Sequence, residues 1–454
     1  MTCFRPLWGP DLSAGRKVIN VPCPRVRHVS WILALAVLSL LVPAAPGYDA
    51  WAWLTWGREL GTFSLETAGG PAWKPLPVAV TTLLAPFGSW APELWLIVAR
   101  SGAIAALAMA FVVARRLGGT AAGAVAVAGV ALTAGFVRHA AVGDTEPVLI
   151  ALALGAFERA LAGRHRQALL LGGLAALVRP EVWPFLAAYG VARWRAAEER
   201  RVVVALTVLI PAAWVLPELL SSGELFRSAE RARIPNPGQP ATADFPFLAT
   251  LGAAGGALFL PAALGAVGAR GRSALPAIGG AAWIVLVALM SEGGFSGEPR
   301  YLLPGAALIA VSGAVGLARL ASAPLPRVAF ALAIAAVGVA RVGDIADLGP
   351  RLAYQDALAA DLDRAIAAAG GRDAILACGR PAVGRYRGTL LAWRLRVPKR
   401  VVLADGERGD ITFRSRLTRG ARPAPEARGP TIAANAHWRV VGSCAAAPNA
   451  RAGR

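Results

Sequence analysis

The chain has 454 residues, of which 56% are hydrophobic and 16% charged. A soluble protein of this length is not so apolar, so the composition predicts a polytopic membrane protein. The net charge of +20 does not point to nucleic acid, because basic residues sit in short loops beside apolar runs, at Arg115 and Arg116, at Arg164, His165 and Arg166, across 193–201, and at Arg270 and Arg272. Such loops mark the cytoplasmic side of a membrane.

Residues 1–30 carry Arg5, Arg16, Lys17, Arg25 and Arg27 against the single acid Asp11, and 31–45 is apolar. This predicts a cytoplasmic N-terminal segment (1–30) and an outward anchor; a signal cleaved near Ala44 and Ala45 is the alternative, and either leaves Gly47 outside. Residues 48–88 are no plain span, since they hold Asp49, Arg58, Glu59, Glu66 and Lys74 among Trp51, Trp53, Trp56 and Trp73. Tryptophans favour the membrane interface, so this first outer loop is expected to lie along the surface as an interfacial helix pair.

Spans follow at 92–114, 119–137 and 146–162, which leaves Asp144 and Glu146 on the outer side. Residues 168–192 are flanked by basic clusters at both ends and carry Arg179-Pro180-Glu181 in the middle. Both ends are therefore read as cytoplasmic, with two short legs meeting at a proline break. Each leg has about 11 apolar residues, about 16 Å of helix, so the charged tip needs a protein-lined cavity. The runs 202–220, 247–268, 275–291, 301–318 and 327–342 then alternate across the membrane. The expected architecture is an all-α membrane domain over 31–342 with about eleven membrane helices. Residues 343–454 are more polar and read as a small extracytoplasmic α/β domain, with a helix over 350–369, strands over 374–378, 400–404 and 438–444, and a helix over 389–395. An oxidising compartment predicts a Cys378–Cys444 disulfide joining the first and last strands, with two free thiols as the alternative. His28, His139, His165 and His437 are too scattered for a zinc motif.

Four polar clusters end apolar runs on the predicted outer side: Tyr48-Asp49-Ala50-Trp51, Gly143-Asp144-Thr145-Glu146, Arg179-Pro180-Glu181 and Gly297-Glu298-Pro299-Arg300-Tyr301. Ionisable groups in membrane helices cost about 2.5 to 3.5 kcal/mol each, so their recurrence points to a site. Acids beside bases suit group transfer from a phosphate-linked donor. A carboxylate can take the acceptor proton or hold a divalent metal ion, with Asp49 the candidate position, while arginines and a lysine bind phosphate. The bland readings are an N-cap for Asp49, helix-dipole acids for Asp144 and Glu146, an Arg179–Glu181 pair, and interfacial anchors for Arg300-Tyr301 and for Trp73-Lys74.

These clusters, with a Pro-rich segment ending at Phe87-Gly88, Arg115-Arg116-Leu117-Gly118, the run Leu171-Gly172-Gly173-Leu174-Ala175-Ala176-Leu177-Val178-Arg179-Pro180, and Arg300-Tyr301-Leu302-Leu303-Pro304, resemble polytopic GT-C glycosyltransferases, in particular the protein mannosyltransferase and aminoarabinose transferase-like branch. The resemblance covers roughly residues 29–320 and lies in the order of weak motifs. It implies a multi-pass bacterial plasma-membrane enzyme that transfers sugar from a polyprenyl-phosphate donor to an envelope acceptor, with no cofactor beyond the metal ion already considered. Asp49, Asp144 and Glu146 match the catalytic acids, and Arg179, Arg300, Tyr301, Lys74 and Arg58 the donor-phosphate side. One departure is Ala50, where many members pair a second acid with the first. A transporter and a non-catalytic envelope scaffold are the competing classes. The absence of repeated halves and the acid-bearing first loop weigh against the transporter.

Overall fold

The computed structural model describes residues 26–320, 324–406 and 408–442. The reading of the first 25 residues as a cytoplasmic segment therefore lies outside the described residues, as does Cys444 of the expected disulfide.

The apolar run after the basic N-terminal segment forms α1 (Val26–Leu38) and a single 3-10 turn, then becomes extended at Val42, the residue before Pro43. The residue preceding a proline is pushed out of the helical region, which stops the helix there. The first loop is a helix pair, α2 (Tyr48–Gly61) and α3 (Pro75–Leu84). The two cross at Gly57, where a Cβ would lie 2.5 Å from the Thr81 backbone. The tryptophans of this loop are not interfacial anchors: Trp51, Trp53, Trp56 and Trp73 are buried. Trp56 and Trp73 donate their indole N–H groups to the carbonyls of Glu66 and Ala213, so neither needs water.

The two helices expected over 92–137 are present as the two legs of α4 (Ala91–Ala131), which breaks at Gly119 with φ +88°. That conformation suits glycine, and it folds the second leg back until Gly123 packs on Phe111. The short α5 (Phe136–Ala141) and α6 (Glu146–Leu161) follow. Residues 168–192 form the two-legged hairpin, α7 (His165–Ala176) and α8 (Trp183–Arg193). Its legs run side by side, as the 2.8 Å hydrogen bond between His165 and Tyr189 at the base shows. Arg179, extended before Pro180, makes the break at the tip.

Next come α9 (Ala197–Ser222), α10 (Arg227–Ala232), α11 (Pro246–Ala257) and α12 (Leu260–Gly265). The run over 247–268 is not one straight span: it bends by 100° between α11 and α12. The bundle is completed by α13 (Leu275–Glu292), α14 (Leu303–Leu320) and α15 (Pro324–Ala346). Among the described residues, four helical stretches are long and apolar enough to cross a membrane, or five if the bent pair is one span. Length and composition alone do not establish the expected figure of about eleven: α1, α6, α7 and α8 are each shorter than the ~20 residues a span needs, and both legs of α4 fall in one stretch.

At the centre of the bundle, α14 meets its neighbours through glycine. A Cβ on Gly313 would lie 1.6 Å from the Ala262 carbonyl, and one on Gly305 would lie 2.7 Å from that of Gly280. Small residues allow this backbone approach in a setting where helices gain little from the hydrophobic effect. Along 252–265 this close approach is confined to Gly265, whose Cβ would lie 2.4 Å from the Gly313 carbonyl, while Gly252, Gly255 and Gly256 face open space.

The C-terminal region is α16 (Leu348–Ala368), α17 (Gly371–Cys378), β1 (Pro381–Ala382), α18 (Gly388–Leu395), β2 (Ile411–Arg416), β3 (Pro423–Ala424), β4 (Thr431–Ala434) and β5 (Trp438–Gly442). The sheet order is β1-β2-β5-β4, with β3 on β2; β1 is parallel to β2 and the other pairs are antiparallel. Two expected strands are corrected. Residues 374–378 belong to a helix, and 400–404 begin in a 3-10 turn and touch the sheet only through an Ala382–Leu403 bridge. Cys378 therefore ends a helix rather than a first strand. This domain shares one hydrophobic core with the first loop, in which Trp51, Trp53 and Trp56 join Leu358, Leu391, Trp393 and Phe413.

Candidate functional site

Asp49 lies in the first turn of α2, behind an extended Gly47, and its side chain does not cap the helix. Its carboxylate instead accepts a 2.8 Å hydrogen bond from Arg300 Nη2. The second acidic cluster is held against the same point by the backbone. The Gly47 N–H donates to the Val142 carbonyl (2.8 Å) and the Trp95 indole to that of Gly143 (3.0 Å). Arg100, buried in α4, donates to the carbonyls of Ser39 and Ala141 and so ties the approaches to both acids together.

Asp144 then shares Arg300, at 3.4 Å, and its carboxylate accepts from His139 Nδ1 at 2.7 Å. Glu146, in the first turn of α6, meets the hairpin tip, where Arg179 Nη1 donates to it at 2.9 Å. Arg179 also holds Glu181 through two of its nitrogens, the Nε contact being 3.1 Å. The Arg179–Glu181 pair of the bland reading is thus real and is one arm of a larger network. Lys74 donates to the Thr145 hydroxyl at 3.1 Å and stands 4.0 Å from Glu146. Tyr301 lies beside both guanidinium groups, 3.6 Å from Arg179 and 5.3 Å from Arg300 measured to the ring centre.

The structure therefore brings Asp49, Asp144, Glu146, Lys74, Arg179, Arg300 and Tyr301 into one continuous cluster. Lys74 is buried in it and Arg300 largely so, both paired with its acids rather than anchored at an interface. Arg58 is not part of it: at the far end of α2 it donates to the Trp393 carbonyl of the C-terminal domain. Sequence reasoning missed His139, set aside as one of four scattered histidines, and it gave Glu181 only a pairing role and Glu298, which stands 3.6 Å from Arg300 Nε, none. Glu181 and Glu298 were visible as members of the polar clusters; nothing local marks His139.

A divalent ion at Asp49 does not fit these residues. Arg300 stands between Asp49 and Asp144, so the two carboxylates that could share a metal already share a guanidinium, and a second cation there would be repelled. Among the described residues no group of three acids, histidines or cysteines has metal-binding spacing. The arrangement suits a different task. Arginines paired to carboxylates can exchange them for a phosphate, which offers bidentate acceptors of the same geometry.

Beside Arg58, Glu59 is buried, with Oε2 accepting the Glu66 N–H (3.1 Å). Burial pushes its carboxyl up from an ordinary 4.5 to about 7, against the pull of the Glu66 N–H and Arg58. The unfolded chain loses this proton near pH 4.5 while the folded one keeps it to about 7, so stability falls as pH rises through that window. Glu59→Gln is expected to stabilise the protein at pH 8 by roughly 2 to 3 kcal/mol and to change little at pH 4. Unfolding midpoints of both proteins at the two pH values check this.

The architecture, an apolar helical bundle joined to a small C-terminal sheet domain, is shared with solved structures. In particular, the chain is similar in structure to ArnT from Cupriavidus metallidurans. Against ArnT bound to undecaprenyl phosphate the TM-score is 0.59 at 15% identity, covering 92% of this chain and 97% of that one. Against apo ArnT the TM-score is 0.57 at 14% identity, with the same coverage. No protein-family model and no curated protein sequence matches the chain.

Proposed function

We propose that this protein transfers a sugar from a polyprenyl-phosphate donor to an envelope acceptor at the outer face of the bacterial plasma membrane, with its N-terminus cytoplasmic and its C-terminal domain outside. The observation that carries this reading is the convergence of Arg179, Arg300 and Lys74 with Asp49, Asp144 and Glu146 at the tip of a hairpin that lacks the length to cross a membrane. The neighbour's undecaprenyl phosphate supports a lipid of that kind here.

In the proposed reaction the donor phosphate takes guanidinium contacts that Asp49 and Glu146 now hold. Asp49, released from Arg300, accepts the proton of the acceptor hydroxyl. The acceptor oxygen bonds to the anomeric carbon from the face opposite the phosphate, the anomeric C–O bond breaks, and its electron pair leaves on the phosphate oxygen. Arg300 and Arg179 hold that charge as it develops. An apolar cavity of about 180 Å³ between α7, α8 and α9, lined by Leu169, Leu186, Val203, Leu206 and Ile210, would receive isoprenoid units along the hairpin legs.

The test uses the full chain in liposomes with a panel of polyprenyl-phosphate sugars. Consumption of one of them with release of polyprenyl phosphate is expected, together with a raised unfolding midpoint when undecaprenyl phosphate is added. Neither donor consumption nor a midpoint shift would refute the reading and leave a scaffold.

A further inference from the structure

The C-terminal domain has no part in the reaction written above, yet it grips the helix that carries Asp49. The buried hydroxyl of Thr389, in the first turn of α18, donates to the carbonyl of Tyr48 at 2.8 Å, one residue before Asp49. Five residues or fewer further along α18, Trp393 packs against Trp51 with ring centres 6.2 Å apart, and Arg394 lies 5.5 Å from the Trp51 ring centre. Toward the other end of α2, Arg58 lies over the Trp393 ring at 4.8 Å and donates to the Trp393 carbonyl at 3.1 Å. The chain after α2 is held as well, through Glu66 and Arg400 at 3.0 Å. On the opposite face α3 closes on Gly57, and the Thr81 hydroxyl donates to the Trp53 carbonyl at 2.6 Å.

Thus α2 is fixed between α3 and α18, and the side-chain contact to its backbone nearest Asp49 comes from α18. A helix held at its first turn cannot slide or rotate without moving Asp49 from the 2.8 Å contact with Arg300. Displacements of about 1 Å at a reacting group can cost about 100-fold in rate. We propose that Thr389 is a positioning residue for Asp49, seconded by the Trp393–Arg58 contact, so that the C-terminal domain is a working part of the site. This inference rests on the glycosyl-transfer reading.

Thr389→Val removes the hydroxyl at nearly constant volume, and Thr389→Ser keeps it. With the donor that the unmodified chain consumes, kcat for Thr389→Val is expected to fall about tenfold or more with donor KM changed less than about twofold, and Thr389→Ser to keep most of the wild-type rate. In an Asp49→Asn background the valine change is expected to cost little further, because a residue acting through Asp49 has nothing left to position. A merely structural role would instead give additive losses that follow the unfolding midpoint.

If Thr389→Val does not accumulate folded, Arg58→Met loosens the same helix from its other end and is expected to show the same kcat loss and the same non-additivity. Wild-type turnover in Thr389→Val, or equal losses in the valine and serine variants, would overturn the inference alone. Absence of transfer by the unmodified chain would overturn the function on which it stands.

Discussion

Asp49→Asn is expected to lower sugar transfer by about 10²- to 10⁴-fold while leaving the protein folded and able to bind undecaprenyl phosphate. The change keeps the shape of the side chain and an oxygen that can accept from Arg300, but removes the capacity to take a proton. Arg300 is not left without a counter-charge, since Asp144 stands 3.4 Å and Glu298 3.6 Å from it. Folding and lipid binding should therefore survive, and the loss should fall on kcat rather than on donor KM, as for an interaction made in the transition state. Single-turnover release of polyprenyl phosphate from a saturating donor, beside the midpoint shift caused by undecaprenyl phosphate, separates the two effects. Full turnover in this variant would remove Asp49 from the chemistry and return it to the role of a counter-ion.

The reason Asp49 could be singled out at all is that a membrane makes charge conspicuous. The hairpin tip was legible because basic clusters at 164–166 and 193–201 argue for both ends on one side, and because Pro180 favours a break between them. The network that the tip enters was less so. His139 reaches Asp144 only because the short α5 turns back ahead of it, and the destination of Arg58 depends on a helix more than 300 residues later in the chain.

The tryptophans of the first loop misled for a related reason. Composition places such residues at an interface, but Trp51 packs on Trp393 of the C-terminal domain, Trp53 on Trp95 of α4, and Trp73 donates to the Ala213 carbonyl of α9. That domain was misread locally as well. Ala374, Ile375, Leu376 and Ala377 make an apolar run short enough for a strand, but Gly371 ahead and the left-handed Gly379 behind bound a helix instead. The central strand β2, Ile411–Arg416, went unseen because Arg414 and Arg416 interrupt its apolar character; both spend their guanidinium groups on nearby carbonyls of Pro425 and Ala421.

Arg179 carries the second large effect, and here stability and activity come apart. Both Glu146 and Glu181 are buried, and each has Arg179 as a guanidinium partner. Arg179→Ala would leave Glu181 without that partner and Glu146 with only Lys74 at 4.0 Å. Removing one member of a buried ion network typically costs about 3–5 kcal/mol, because the charges left behind have already lost their water. The single variant is therefore expected to unfold at a much lower temperature or fail to accumulate, and its inactivity alone would say nothing about phosphate. The triple variant Arg179→Ala/Glu146→Gln/Glu181→Gln removes the stranded charges and is expected to recover most of the lost stability, since neutral replacements of a buried ionic group cost far less than a broken one. If Arg179 serves only to neutralise its glutamates, transfer and the midpoint shift with undecaprenyl phosphate should return with the fold. If it holds the donor phosphate, the folded triple variant should lose that shift and transfer no sugar. The second outcome is expected, because the arginine lies at a hairpin break, beside Tyr301 and in the same cluster as Arg300, where an incoming phosphate finds guanidinium on two sides.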